Sequence, residues 1–307
     1  MGEHHHHHDL KGRSLIATIF LNIAITIAQV IGAVFGNSLS LLTDALHNFS
    51  DVMALVVSYI ANKLSIRAYT PDKSFGYKRA EILAAFFNAA TLLAISVYLI
   101  YEAIERFFIA QEVIVDGMLV AYLAGFSILA NGISVLLVKK HSENNMNMRS
   151  AYLHLFSDML SSVAVLIGGL LMHYYQIMWV DAALSVFIAI YLIVASWKLV
   201  IKTLRVLMQF TPAHIDMVNL ADEVAGIEGL INIHHVHIWQ LNDDELHLEG
   251  HIDLVENITV EEANKLITHV KELLKDKFGI CHCTIQPEFK VDDDKSLIVN
   301  ETAHHHD

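Results

Sequence analysis

Cysteine is nearly missing. Two thiols, Cys281 and Cys283, serve 307 residues, too few to frame a disulfide-stapled secreted domain. A bridge between two cysteines one residue apart on a strand would also be strained. Charge is scarce as well: Asp, Glu, Lys and Arg make up 17% of the chain against 54% hydrophobic residues, and the mean hydropathy is +0.46. A disordered chain shows the opposite balance. No basic excess exists either, and the net charge of −13 argues against the positive surface of a nucleic-acid binder. What is abundant is apolar residues and histidine, 20 of them, which points to divalent metal.

The charge is unevenly divided. Residues 1–210 carry 14 basic and 13 acidic side chains, whereas 211–307 carry 6 and 20. In the first part, Leu15–Phe35, Ile82–Tyr101 and Met118–Val138 are uncharged runs. Each is long enough, at ~1.5 Å per residue, to cross a ~30 Å hydrocarbon layer as a helix. Ala182–Ile201 is a fourth, with Lys198 able to snorkel. Leu39–Leu64 and Ala151–Met172 have the length but contain acids and a histidine. Six spans are predicted. The first is too long for a signal-peptide core, has no small-residue cleavage site and is followed at once by further spans.

Orientation follows from the basic residues. Thirteen of them flank the connections between spans two and three and between four and five, and the two ends: Lys11 and Arg13, Lys63 to Arg79, Lys139 to Arg149, and Lys198 to Arg205. Arg106 stands alone opposite. Both termini are therefore expected in the cytoplasm of a multi-pass protein of the plasma (inner) membrane.

The spans that contain acids share a motif. His47-Asn48-Phe49-Ser50-Asp51 and His154-Leu155-Phe156-Ser157-Asp158 both read His-x-Phe-Ser-Asp. His and Asp at i, i+4 share a helix face. Counted by helical rise, the two motifs reach overlapping depths, roughly 13–20 Å below the outer face and 9–15 Å above the inner one. Two antiparallel helices can thus present His47, Asp51, His154 and Asp158 to one ion. Two imidazoles and two carboxylates suit tetrahedral Zn²⁺. Each buried acid costs ~2.5–3.5 kcal/mol, which packing alone does not repay. The alternative is a hydrogen-bonded His–Asp network that merely joins two helices. Asp44, one turn before His47, is read as a supporting or pathway residue. Asn22, Asn48, Asn88 and Asn131 are read as interhelical hydrogen-bond partners.

These motifs resemble the cation diffusion facilitator family, in particular its bacterial zinc, cobalt and cadmium efflux branch. The resemblance is carried by Ser40 through Asp51, Phe75-Gly76-Tyr77-Lys78-Arg79-Ala80-Glu81, His154 through Asp158, His234-His235-Val236-His237-Ile238-Trp239 and Thr284-Ile285-Gln286-Pro287-Glu288. It extends from residue 14 to 289. It implies a homodimer of six-span protomers with ferredoxin-like cytoplasmic domains. It also implies proton-coupled antiport that exports Zn²⁺, with Co²⁺ or Cd²⁺ as further cargo, by alternating access. The four-ligand transport site maps onto His47, Asp51, His154 and Asp158. Two departures are expected to matter. The 72–77 connection has no histidine, so a loop metal site found in relatives should be absent or weak. The Lys139–Arg149 connection is short and holds only His141.

Four segments are expected: a His-rich cytoplasmic tail (1–13), the transmembrane domain (14–210), a metal-binding cytoplasmic domain (211–290) and an acidic, His-rich tail (291–307). In the third, helix 214–224, strands 231–240 and 245–254 around the turn 242–244, helix 259–277 and strand 280–289 give an αββαβ order suited to a small antiparallel sheet. The resemblance implies that His234, His251, Glu288 and the residue at 281, here Cys281, bind regulatory zinc. His282 is a further candidate, but His282 and Cys283 face opposite ways. His237 stands between ligand and polar surface residue, with His235 reading as polar surface. His247 and His269 read as solvated. The terminal histidine runs, His4–His8 and His304–His306, fit an appended tag and a native metal-gathering tail equally.

Together these features predict an exporter in which metal displaces protons from its ligands on the cytoplasmic side, because ligands bind metal only when deprotonated, and is released by protonation outside. Two rivals use the same residues: a membrane-embedded zinc metallohydrolase, which would need an open coordination position, and a metal sensor whose spans only anchor it.

Overall fold

The computed structural model describes residues 6–108, 114–142, 146–243 and 245–299; Asp244 of the expected turn and His304–His306 fall outside them. The chain divides into two compact units. One comprises the residues up to Ile60 together with Ala84–Val200, and the other comprises Ala61–Leu83 with the chain from Ile201 onward. The connection between the second and third helices thus groups with the second unit.

Six helices precede the sheet: α1 (His6–Gly36), α2 (Leu39–Ser65), α3 (Ala80–Phe108), α4 (Gly117–Ser142), α5 (Met146–Tyr175) and α6 (Trp179–Leu207). Segments of α3 to α6 are long and apolar enough to cross a membrane, and α1 contributes the shorter apolar stretch Asn22–Gly36. Residues 6–13, expected as a tail, are the first turns of α1.

Burial in the first unit is inverted relative to a soluble protein. Phe87, Leu129 and Phe187 are each more than 60% exposed, while Ser127, Ser134, Ser162, Ser185 and Asp181 are buried. Such a surface suits hydrocarbon, and the polar groups inside act as interhelical contacts. Asn48 donates to Gln29 Oε1 (2.8 Å) and Ser50 to Asn88 Oδ1 (3.4 Å), as expected of those amides. Asn131 differs: its buried amide has no hydrogen-bond partner among the described residues, and nothing in the structure explains it. Helices α4 and α5 approach closely through glycine. A Cβ on Gly169 would lie 2.8 Å from the Ala121 nitrogen, and one on Gly117 would lie 2.6 Å from the Gly169 carbonyl.

The start of α2 is held by α6. Asp181, 2% exposed, accepts from Ser38 Oγ (2.6 Å), the Leu39 amide (2.6 Å), Ser40 Oγ (2.6 Å) and the Ser40 amide (3.2 Å). Unpaired N–H groups open every helix, and here a carboxylate from a distant segment satisfies two of them while its charge complements the helix dipole.

In the second unit, α7 (Met217–Ala225), β1 (Leu230–Gln240), β2 (Leu246–Leu254), α8 (Val260–Phe278) and β3 (His282–Glu288) follow the expected order. Asp216 caps α7 through the Val218 and Asn219 amides, so that helix begins after His214 and not at it. Thr259 and Glu262 form a capping box on α8, and Gly279 (φ 70°) closes it in the left-handed region. The sheet has order β1-β2-β3 and is mixed: β1 and β2 are antiparallel, but β2 and β3 are parallel. This corrects the expected antiparallel sheet. The reason is that α8 carries the chain back as a β–α–β crossover, which returns the next strand parallel. β3 begins only at His282, so Cys281 lies before the strand and not on it.

Replacing Asp181 with Ala should lower the stability of the helical unit by about 2 kcal/mol, the upper range for a lost cap, and Asp181→Asn should lose less. Thermal unfolding of the detergent-solubilised protein ranks the two.

Candidate metal centres

Helices α2 and α5 bring the two His-x-Phe-Ser-Asp motifs together within the first unit. The four side chains alternate around a ring. His47 Nε2 lies 3.3 Å from Asp158 Oδ1, and Asp158 Oδ2 lies 3.7 Å from His154 Nε2. That nitrogen is 3.3 Å from Asp51 Oδ2, which returns to His47 Nδ1 at 3.7 Å. The imidazoles meet edge to face, with centroids 5.9 Å apart.

Proximity here is not hydrogen bonding. Only the His47–Asp158 contact among these four has hydrogen-bond geometry, while His47 Nδ1, Asp51 Oδ2 and Asp158 Oδ2 are buried with no hydrogen-bond partner among the described residues. Buried lone pairs left in this way are costly unless a cation sits where they converge. His47, Asp51 and Asp158 each offer an atom within 4.8 Å of the others', and His154 closes the ring. Exposure is graded, from Asp158 at 3% to His154 at 46%, so the ring opens at His154.

Asp44 stands behind this ring and not in it. Buried at 1% exposure, it accepts from Ser161 Oγ (2.7 Å), Ser162 Oγ (3.3 Å) and Gln29 Nε2 (2.5 Å). It thus ties α1, α2 and α5 together one turn from the ligands. Gln29, Ser161, Ser162 and Asp181 were missed in the sequence. Gln29 carried a signal, as a polar residue inside the uncharged run Leu15–Phe35. The serines carried none.

The soluble unit gathers two further groups. In the first, His234, fully buried, points Nε2 at Glu288 Oε2 (3.3 Å) and Asp293 Oδ2 (3.4 Å), and His251 Nδ1 lies 2.9 Å from Glu288 Oε1. His251 Nδ1 has no partner with hydrogen-bond geometry, again an atom aimed at a shared point. His234 is buried because β1 bulges: the register shifts between His234 and His237, and His235 takes φ 50°. Alternation along the strand fails at such a bulge, so Ile233 and His234 are both buried. His234, His251 and Glu288 are brought together as expected. Cys281 is not: it is exposed, with its thiol near the Gly279 carbonyl (3.6 Å). Asp293 joins the group instead, from beyond the boundary expected at 290.

His282 belongs to the second group, with Glu245 and His247. His247 is not the solvated residue expected. Its ring stacks between Trp239 (5.3 Å) and His282 (4.7 Å), across three strands, and Phe75 abuts its edge. Burial and the neighbouring His282 lower its pKa. Lys78 donates to both Glu245 oxygens (2.6 and 2.5 Å), and this contact depresses the Glu245 carboxyl and raises the Lys78 ammonium. His237 is exposed, with its ring against His235, and it joins neither group; His269 is exposed as expected.

The two cysteines are free. Burial pushes the Cys283 thiol up to about 11, and the thiolate is the reactive form. A maleimide or iodoacetamide reagent at neutral pH should therefore label Cys281 first. Labelling of Cys283 should rise about tenfold per pH unit and level off near 11; peptide mapping by mass spectrometry reads both.

Comparison with known proteins gives the family. The cation efflux transmembrane domain matches residues 15–208, and the cation efflux protein cytoplasmic domain matches residues 212–290. The chain is 35% identical to a cadmium, cobalt and zinc/H(+)-K(+) antiporter of Bacillus velezensis, with both chains covered completely. It is 33% identical to the metal cation efflux system protein CzcD of Cupriavidus metallidurans, over 92% of this chain and 89% of that one. Against the zinc transporter ZitB of Escherichia coli it is 30% identical, over 97% and 95%. Two matched domains spanning nearly the whole chain leave no room for the metallohydrolase alternative: this protein belongs to the cation efflux family, and is a multi-pass membrane transporter of metal cations and not an enzyme.

Proposed function

We propose that the protein exports Zn²⁺ from the cytoplasm in exchange for protons, with His47, Asp51, His154 and Asp158 as the transport ligands. The carrying observation is the ring of two imidazoles and two carboxylates in which three buried atoms, His47 Nδ1, Asp51 Oδ2 and Asp158 Oδ2, lack hydrogen-bond partners among the described residues. A four-donor N₂O₂ set suits a tetrahedral borderline ion. Relatives named for zinc, cadmium and cobalt transport support that choice, with Co²⁺ and Cd²⁺ as secondary cargo.

All six N-terminal helices span the membrane in this account. α1 and α2 have 31 and 27 residues, length enough at ~1.5 Å per residue, and α2 is less apolar because it carries the site. The basic residues place both termini in the cytoplasm, in the plasma (inner) membrane. The soluble unit is read as ferredoxin-like, its α7-β1-β2-α8-β3 order matching that fold less its first strand. The cytoplasmic domain matches a family description of dimeric type, which supports a homodimer. His234, His251, Glu288 and Asp293 fit a regulatory zinc, with two imidazoles and two carboxylates and one orphaned buried nitrogen, His251 Nδ1. Cys281 and His282 drop out of that set.

The chemistry is a competition. A proton and Zn²⁺ seek the same lone pairs of His47 and His154, so low proton activity on the cytoplasmic side favours loading. Higher proton activity outside favours release. Asp44 holds α1, α2 and α5 together throughout, which keeps the ring's geometry while the helices rock.

In inverted vesicles with an acidic interior, wild-type protein should accumulate Zn²⁺, and collapse of the pH gradient should stop it. Asp51→Ala or Asp158→Ala should reduce uptake by about 100-fold or more, since even outer-shell changes cost 10–100-fold, while the purified protein stays folded. Undiminished flux in either variant refutes the site.

A further inference from the structure

A cluster of imidazoles and carboxylates attracts cations, and in the soluble unit one is already attached to the chain. Lys295 Nζ lies 3.0 Å from Asp253 Oδ1, 3.0 Å from Glu288 Oε2 and 3.3 Å from His234 Nε2, and it pairs with Asp293 Oδ1. Glu288, Asp293 and His234 are members of the metal-competent group, and the ammonium stands among their donor atoms. It is delivered by residues 291–297, which run back along β1. The His235 amide donates to the Ser296 carbonyl (3.1 Å) and the Val236 amide to the Leu297 carbonyl (2.8 Å), at the bulge that buries His234. Leu297 packs on the domain core. The cytoplasmic-domain match ends at residue 290, so this strap lies outside the shared domain.

An ammonium and a Zn²⁺ ion cannot occupy one set of carboxylates. The three protons of the lysine also point at the lone pairs that a metal would need. We propose that Lys295 is a tethered cation that closes the cytoplasmic site at low zinc, that Asp293 is the site's fourth ligand, and that metal enters by expelling the ammonium and freeing residues 295–297 from β1. This rests on the regulatory assignment of His234, His251 and Glu288. Closure by the strap weakens the apparent zinc affinity in proportion to the fraction of molecules left open, so the strap sets a threshold. Below it the site ignores zinc; above it Asp293 remains as ligand, and the chain pivots beyond it.

The experiment uses the full-length protein in detergent with Asp51→Ala and Asp158→Ala, so that titration against a chromophoric zinc chelator reads the cytoplasmic site. Lys295→Met keeps the stem and removes the charge; it should bind zinc about tenfold tighter. Asp293→Asn added to it should weaken binding again. With Lys295 present, zinc should speed deuterium exchange at 295–297 and at the His235 and Val236 amides. Equal affinity with and without the ammonium, both lost in His251→Ala, overturns the tether while leaving the metal site intact. Zinc that slows exchange in the strap also overturns it. If neither protein binds zinc beyond the His251→Ala background, the regulatory site itself fails and the tether with it.

Discussion

A carboxylate shut away from water has only the protein to satisfy it, and that constraint organises the helical unit. Every buried acid there is answered. Asp51 and Asp158 face two imidazoles; Asp44 takes three hydrogen bonds from α1 and α5; Asp181 takes four from the start of α2. Two of these acids are fully satisfied by the protein, and two are not. The satisfied pair are structural. The other two keep one carboxylate oxygen each without a hydrogen-bond partner among the described residues, which is what the proposed carrier site requires and a strut does not.

That division also explains how α2 can carry the proposed ligands without losing its place. It is fixed at its first turn by Asp181 of α6 and one turn before the ligands by Asp44, which reaches α1 and α5 together. Close backbone approach at Gly117 and Gly169 locks α4 to α5. Helices α2 and α5 are therefore held by polar contacts whose alternative, buried unpaired groups, is several kcal/mol worse. A transport site needs such stiffness, since its donors must stay within bonding distance of one ion with no water shell to correct errors.

The second unit repeats the same donor types, and there the Lys295 ammonium stands among the carboxylates. His234 is buried by a bulge at His235, and Glu288 approaches because β3 lies parallel beside β2. Neither strand alone makes the cluster. The second group shows the same dependence, with His247 and His282 stacked because a parallel register sets them opposite each other.

Much of the molecule was legible from residue order. The uncharged runs located α3, α4 and α6, because a helix in lipid has to be apolar for its full length. The repeated His-x-Phe-Ser-Asp motif located the four side chains proposed as transport ligands, because i, i+4 spacing fixes a common face whatever the surroundings. Thr259 with Glu262 and the αββαβ order were equally local, as was the acidic tail. Elsewhere local pattern was silent. The parallel pairing of β3 and its start at His282, which leaves Cys281 outside its expected company, the bulge that buries His234, the cap that Asp181 places on a helix 142 residues away in sequence, and the arrival of Asp293 and Lys295 were decided by tertiary structure alone. Each depends on which segments become neighbours after folding, and a one-dimensional pattern records the faces a segment offers but not the partner that comes to meet them.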